Sequence, residues 1–303
     1  MKNFFKGIGA SLGYIAIYIV VTALVLIAGS IAYAVFLGVT AVKSNYALDS
    51  FFDSFNSFVY DSVILFTLVS GAITLFIYWL IIIAGKKSVK ARLDLIPVSF
   101  SNLWPIIPLG ILFNLFISSL LDLLPIPEHL MQDYIESSST LGNESTLILF
   151  LTVVLMAPVL EEVLFRGLVM KSLSRGMPFI LALILQAIAF GILHGQIIWI
   201  FYATFLGIVL GIVKKRYASL YPCILLHLVF NGWSFAMSSM YDILPESLLP
   251  NILLLSISTI LIVFLGIVIF KKTKKVEFVE DIKSNENTLY IEETEHQAIY
   301  EQK

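Results

Sequence analysis

Stretches of about 20 consecutive apolar residues recur along almost the whole of this sequence. Each is long enough, at about 1.5 Å per helical residue, to cross a hydrocarbon layer roughly 30 Å thick. A chain of 303 residues that is 59% hydrophobic and 13% charged stands well above the roughly 45–50% apolar usage of water-soluble domains, and the solvent for most of its fold is lipid. Eight spans are expected, at about 10–36, 62–85, 103–121, 147–170, 177–195, 197–213, 219–238 and 249–270. The fold class is therefore an all-α, polytopic membrane helix bundle of about eight transmembrane helices, a multi-pass protein of the cell membrane. The first apolar run, which reaches about Val42 behind Lys2 and Lys6, is too long for a cleavable signal core and reads as the first transmembrane helix.

Charge placement orients the spans. Lys2 and Lys6, then Lys86, Lys87, Lys90 and Arg92, then Lys171 and Arg175, then Lys214, Lys215 and Arg216, and finally Lys271, Lys272, Lys274 and Lys275 fall at alternate boundaries. The positive-inside rule assigns all of them to the cytoplasm, with both termini. The intervening connections read oppositely: 122–146 holds Asp122, Glu128, Asp133, Glu136 and Glu144, and 239–248 holds Asp242 and Glu246, with no Lys or Arg in either. The expected organisation is therefore 1–121 as N-terminal transmembrane helices, 122–146 as an acidic extracytoplasmic loop and 147–240 as the helical core that carries the chemistry. A last transmembrane helix in 241–275 precedes a polar tail, 276–303, too poor in apolar residues to fold alone and read as a disordered cytoplasmic segment. Segment 87–100 alternates basic and apolar residues and is expected to lie along the inner membrane surface.

Composition removes several functions. A net charge of −2 gives no basic surface for nucleic acid, so no nucleic-acid partner is expected. The single cysteine, Cys223, allows no internal disulfide and reads as a packing residue. No internal repeat, phosphate loop or nucleotide fingerprint is present. Two of the four histidines, His194 and His227, lie inside apolar segments, whereas His129 and His296 do not.

Ionisable residues at bilayer depth are expensive and mark function. Glu161 and Glu162 lie within APVLEEVLFRG, ten residues or about 15 Å from the inner boundary near Lys171, close to mid-membrane. Adjacent helical residues point about 100° apart, so the two glutamates take different roles. Glu162 and Arg166, at i and i+4, share a face and can pair, while Glu161 has no cation on its own helix. Phe190 and His194 in AFGILHG, and His227 and Asn231 in LLHLVFNGW, repeat the spacing of four on two further helices. Depth fits only loosely: His227 is about 12 Å from the inner end of its helix, whereas His194 falls nearer the outer end, a mismatch of roughly 10 Å.

Together these groups are the parts of a peptide hydrolase: a carboxylate to take a proton from water, an imidazole to orient it, and His and Asn donors for a developing oxyanion. Glu161, His194 and His227 could equally hold one Zn²⁺ with a position open for water, although the HExxH spacing is absent. Two other classes remain open on these residues. One is a proton-coupled transporter, disfavoured by the lack of an inverted repeat or a broken helix pair, with Pro105, Pro108 and Pro158 the only breakers at depth. The other is a non-catalytic membrane scaffold.

The motifs EExxxR (Glu161, Glu162, Arg166), FxxxH (Phe190, His194) and HxxxN (His227, Asn231), in that order on successive spans, resemble the CPBP or Abi family of intramembrane proteases, which includes type II CAAX prenyl endopeptidases and bacteriocin-immunity proteins. The resemblance covers about 145–240. It implies Glu161 as the water-activating base with His194 as its partner, His227 and Asn231 as the oxyanion site, Glu162 with Arg166 as a structural pair beside Phe190, and a membrane-associated peptide or protein as substrate. It is consistent with a metal-free glutamate mechanism or with a zinc enzyme, and it adds bacteriocin self-immunity as the form a non-catalytic function would take.

Overall fold

A computed structural model describes residues 2–44, 48–86, 88–140, 146–238 and 248–273. The described residues form helices and short connections, with no strand among them. The helices are α1 (Lys2–Ser44), α2 (Leu48–Ala84), α3 (Ile106–Leu123), α4 (Glu128–Thr140), α5 (Thr146–Leu173), α6 (Phe179–Ile192), α7 (Ile197–Tyr217), α8 (Tyr221–Ser238) and α9 (Leu248–Lys272). Every expected span is helical. By length and composition six of the described helices can cross a membrane: α1, α2, α3 with the turn before it, α5, α7 and α9. The remaining two are the site helices: α6 has only 14 residues, and α8, with 18, carries His227 and Asn231 among its apolar residues. The protein is a multi-pass, all-α membrane bundle.

Boundaries differ from expectation at three places. α1 and α2 run to 43 and 37 residues, about 64 and 55 Å; Tyr33 of α1 lies on Phe58 of α2 with ring centroids 3.7 Å apart, and Phe58 meets Phe66 edge-on. The expected acidic loop contains α4, which is tied to the start of α7 by Tyr134 against Trp199 and by Gln196 Nε2 donating to Leu130 O. Segment 87–100 holds a short helix, Val89–Leu93, and ends where a second, Phe100–Leu103, begins. The tail 276–303 lies outside the described residues.

The basic clusters collect at one end of the bundle. Asp94, in the left-handed conformation at φ 52°, is their hub: its carboxylate binds Lys171 Nζ at the end of α5 and, at 2.8 Å, Lys214 Nζ at the end of α7, while its carbonyl accepts from Leu220 N before α8. Arg216 donates to Phe270 O and Thr273 O at the end of α9, Lys272 to Ser101 O, and Tyr217 to Asn102 O. At the opposite end Asn251 Nδ2, near the start of α9, donates to Asp122 at the end of α3.

Two close approaches fix the helices around the site. In α7, Gly207 and Gly211 stand one turn apart, and a methyl group at Gly207 would sit 3.0 Å from Ala187 Cα while one at Gly211 would strike Leu183, so α6 and α7 meet almost backbone to backbone. α1 runs antiparallel to α5 with contacts that advance in step: Phe4 with Gly176, Gly7 with the Ser172 carbonyl, and Ser11 Oγ with Val169 O at 3.3 Å.

The Lys214 side chain is 4% exposed and its cation is matched by Asp94. Replacing Asp94 with Ala strands that charge, and we expect a loss of about 3 kcal/mol, read as a lower thermal unfolding midpoint in detergent. Lys171→Ala, at the more exposed end of the same carboxylate, is expected to cost less.

Candidate active site

The two glutamates lie on α5, whose helical geometry changes along its length. Ala157–Glu162 is α-helical and is flanked by π-helical stretches, Phe150–Met156 and Val163–Val169. Such wider turns recur at functional sites. Pro158 helps to explain the first of them. At the end of that stretch Ala157 N donates five residues back to Thr152 O; Pro158, next in line, has no hydrogen for Val153 O. That carbonyl is taken instead by Asn231 Nδ2, at 2.8 Å from α8.

Glu162 is sealed. Its side chain is 0% exposed, and Oε1 accepts from Arg166 Nη1 at 2.7 Å and faces His227 Nδ1 at 2.9 Å. Arg166, equally buried, donates through Nη2 to Gly207 O at 3.2 Å and stacks its guanidinium 4.5 Å above the Phe190 ring. Gln186 Nε2 donates to the same carbonyl at 2.9 Å. A cation at this depth is thus held by a carboxylate, a backbone dipole and an aromatic face, each of which offsets part of its desolvation.

Glu161 points elsewhere. Its side chain keeps 21% exposure, and Oε2 lies 3.7 Å from His227 Nε2. It lines a cavity of about 50 Å³ whose other polar walls are His194 and Tyr18, closed by Leu160, Leu164, Phe165, Phe190 and Leu193. That volume suffices for a water molecule with polar partners. His194 follows the last turn of α6, where Gly195 at φ 75° turns the chain into α7. Its Nδ1 lies 2.9 Å from Phe190 O. A carbonyl only accepts, so Nδ1 carries the hydrogen and Nε2 of the neutral ring is an acceptor. The depth mismatch between His194 and Glu161 narrows because α6 is short and ends within the bundle.

The structure therefore brings Glu161 and His194 to one cavity, and His227 to both glutamates. Asn231 is one turn along α8 from His227, committed to Val153 O. Phe190 packs its ring edge-on to both imidazoles, 4.9 Å from His194 and 5.8 Å from His227 between centroids. Among the described residues no three His, Cys, Asp or Glu side chains gather as metal ligands. The sequence reading passed over Gln186, Gly207 and Tyr18. A glutamine in the apolar segment 177–195 was a visible signal, whereas a glycine carbonyl and a tyrosine on α1 carried none.

Arg166→Met removes the cation that matches Glu162. We expect it to destabilise the protein by about 3–5 kcal/mol, measured as thermal unfolding in detergent, and the double variant Glu162→Gln with Arg166→Met to recover much of the loss.

Residues 143–233, from the residues before α5 into α8, match the family model described as type II CAAX prenyl endopeptidase, Rce1-like. No curated protein and no solved structure matches the chain. The matched segment contains all seven motif residues and the connection that sets Gly207 beneath Arg166. Over this segment, and there alone, the chain is similar to the Rce1-like type II CAAX prenyl endopeptidases.

Proposed function

We propose that the protein is an intramembrane endopeptidase that hydrolyses a peptide bond of a membrane-associated peptide or protein, with Glu161 as the base that activates water and His194 as its partner. The observation that carries this reading is the contrast between the adjacent glutamates. Glu162 is consumed by Arg166 and His227, while Glu161 opens on the cavity that it shares with His194. A structural carboxylate pair would have no reason to leave one member facing a polar void inside lipid.

Water in this cavity donates to a Glu161 oxygen and to His194 Nε2, which fixes it with a lone pair free to attack a carbonyl carbon. Its proton passes to Glu161 as the carbon–oxygen bond forms, and from there to the leaving nitrogen as the carbon–nitrogen bond breaks. His227 and Asn231 bound the side on which the oxyanion develops. Asn231 supplies a second amide hydrogen beyond the one given to Val153 O, and His227, whose Nδ1–H is directed at Glu162, supplies an Nε2–H only as the doubly protonated ring. The basic end of the bundle is the cytoplasmic end, and the cell membrane is the location that the charge distribution favours.

Protein termini compared between membranes expressing the wild type and Glu161→Gln at matched levels test this reading. New termini generated by the wild type should fall at least about 100-fold in the variant, the scale of lost general acid–base catalysis, with an unchanged thermal midpoint because the amide is no harder to bury. His194→Ala should reduce the same termini. Identical termini in wild type and Glu161→Gln would refute proteolysis and favour a non-catalytic role such as self-immunity.

A further inference from the structure

The family match begins at residue 143, yet one of the three polar walls of the cavity, Tyr18, comes from α1. Its position there is set by the antiparallel register of α1 against α5. Phe4, Gly7 and Ser11 meet Gly176, Ser172 and Val169 in turn. The same progression carried about two turns farther brings Tyr18 to the level of Glu161, and both line the cavity.

The chemistry of the cavity gives this tyrosine a distinct place. Glu161 is an acceptor when ionised, and His194 presents an acceptor nitrogen because its Nδ1–H is directed at Phe190 O. The other walls are apolar. Tyr18 is therefore the one lining residue with a side-chain O–H to give, and among the described residues that hydroxyl has no hydrogen-bond partner. Two neighbouring tyrosines are satisfied: Tyr78 donates to Tyr14 O at 2.8 Å, and Tyr14 accepts from Arg92 Nη2 at 3.2 Å. An unused donor inside a membrane span is costly unless something bound in the cavity receives it. The obvious donors to a developing oxyanion are partly engaged, His227 Nδ1–H by Glu162 and one Asn231 hydrogen by Val153 O.

We propose that Tyr18 completes the site from outside the family core, its hydroxyl donating a hydrogen bond to the scissile carbonyl oxygen of the substrate while the water held between Glu161 and His194 attacks the carbonyl carbon. This rests on the proteolytic reading above. The bond strengthens as negative charge grows on that oxygen, so its removal slows the chemical step more than it weakens substrate binding.

The test is the rate at which Glu161-dependent termini appear in membranes expressing wild type, Tyr18→Phe, Tyr33→Phe or Glu161→Gln at matched levels. Phenylalanine keeps the ring and its packing and removes only the donor. Tyr33→Phe makes the same deletion on α1 away from the cavity. Expected is a fall of at least about 10-fold for Tyr18→Phe, wild-type rates for Tyr33→Phe and equal thermal midpoints for all. Wild-type rates in Tyr18→Phe, with the termini still dependent on Glu161, would overturn the role of Tyr18 and leave the protease reading standing. Rates that recover in Tyr18→Phe but collapse in Tyr18→Ala would reduce the residue to a packing wall. Termini that do not depend on Glu161 at all would remove the protease reading, and the proposal with it.

Discussion

An arginine held in the middle of a lipid-embedded bundle needs its charge met within the protein, and the arrangement of this protein depends on how Arg166 is held. Its charge is met by Glu162 on the same helix, its second nitrogen by a backbone carbonyl of α7, and its flat face by Phe190 of α6. Three helices are thereby fixed relative to one another, and His227 of α8 joins through the same carboxylate oxygen. The residues that face the cavity inherit their positions from this knot, since Glu161 is the neighbour of Glu162 and His194 lies one turn beyond Phe190. Cavity-lining and supporting residues alternate along the sequence, and the polar motifs accordingly come as doublets and spaced pairs instead of single residues.

Much of the architecture was readable without coordinates because lipid imposes a simple code: apolar runs become helices, and basic residues mark one end. The division of labour between Glu161 and Glu162 also came from helix geometry, since only Glu162 had a cation one turn away. The features that could not be read depend on backbone groups and on distant segments of the chain. Asp94, the hub for Lys171 and Lys214, lies in a connection whose basic residues alone stood out in the sequence. The first π-helical stretch of α5 leaves Val153 O to Asn231 across from Pro158, residues 73 positions apart in the sequence. His194 seemed misplaced in depth because the end of α6 is set by packing against α7, and spacing carries no such information. The start of α2 ahead of its apolar run escapes hydropathy, and there Phe58 stacks on Tyr33 of α1.

A short family match coexists here with a site that uses more of the chain. Residues 143–233 hold the motifs, but a cavity at bilayer depth also needs walls, and those walls are drawn from whichever helix lies alongside. α1 contributes a wall through a contact surface of small residues, Gly7 and Ser11, that lets it approach α5 closely. Requirements on such a helix are steric and positional, and many sequences meet them.

At Gly207 the structure is founded on a main-chain atom. Its carbonyl accepts from both Arg166 and Gln186, and no substitution at that position can delete the acceptor. Genetic variation there will register only as bulk: any added carbon drives α7 away from Ala187 and carries the oxygen off with it. In a mutational scan even alanine, the smallest addition, would register at this position, which reports on the footing of a cation buried deep within the bundle.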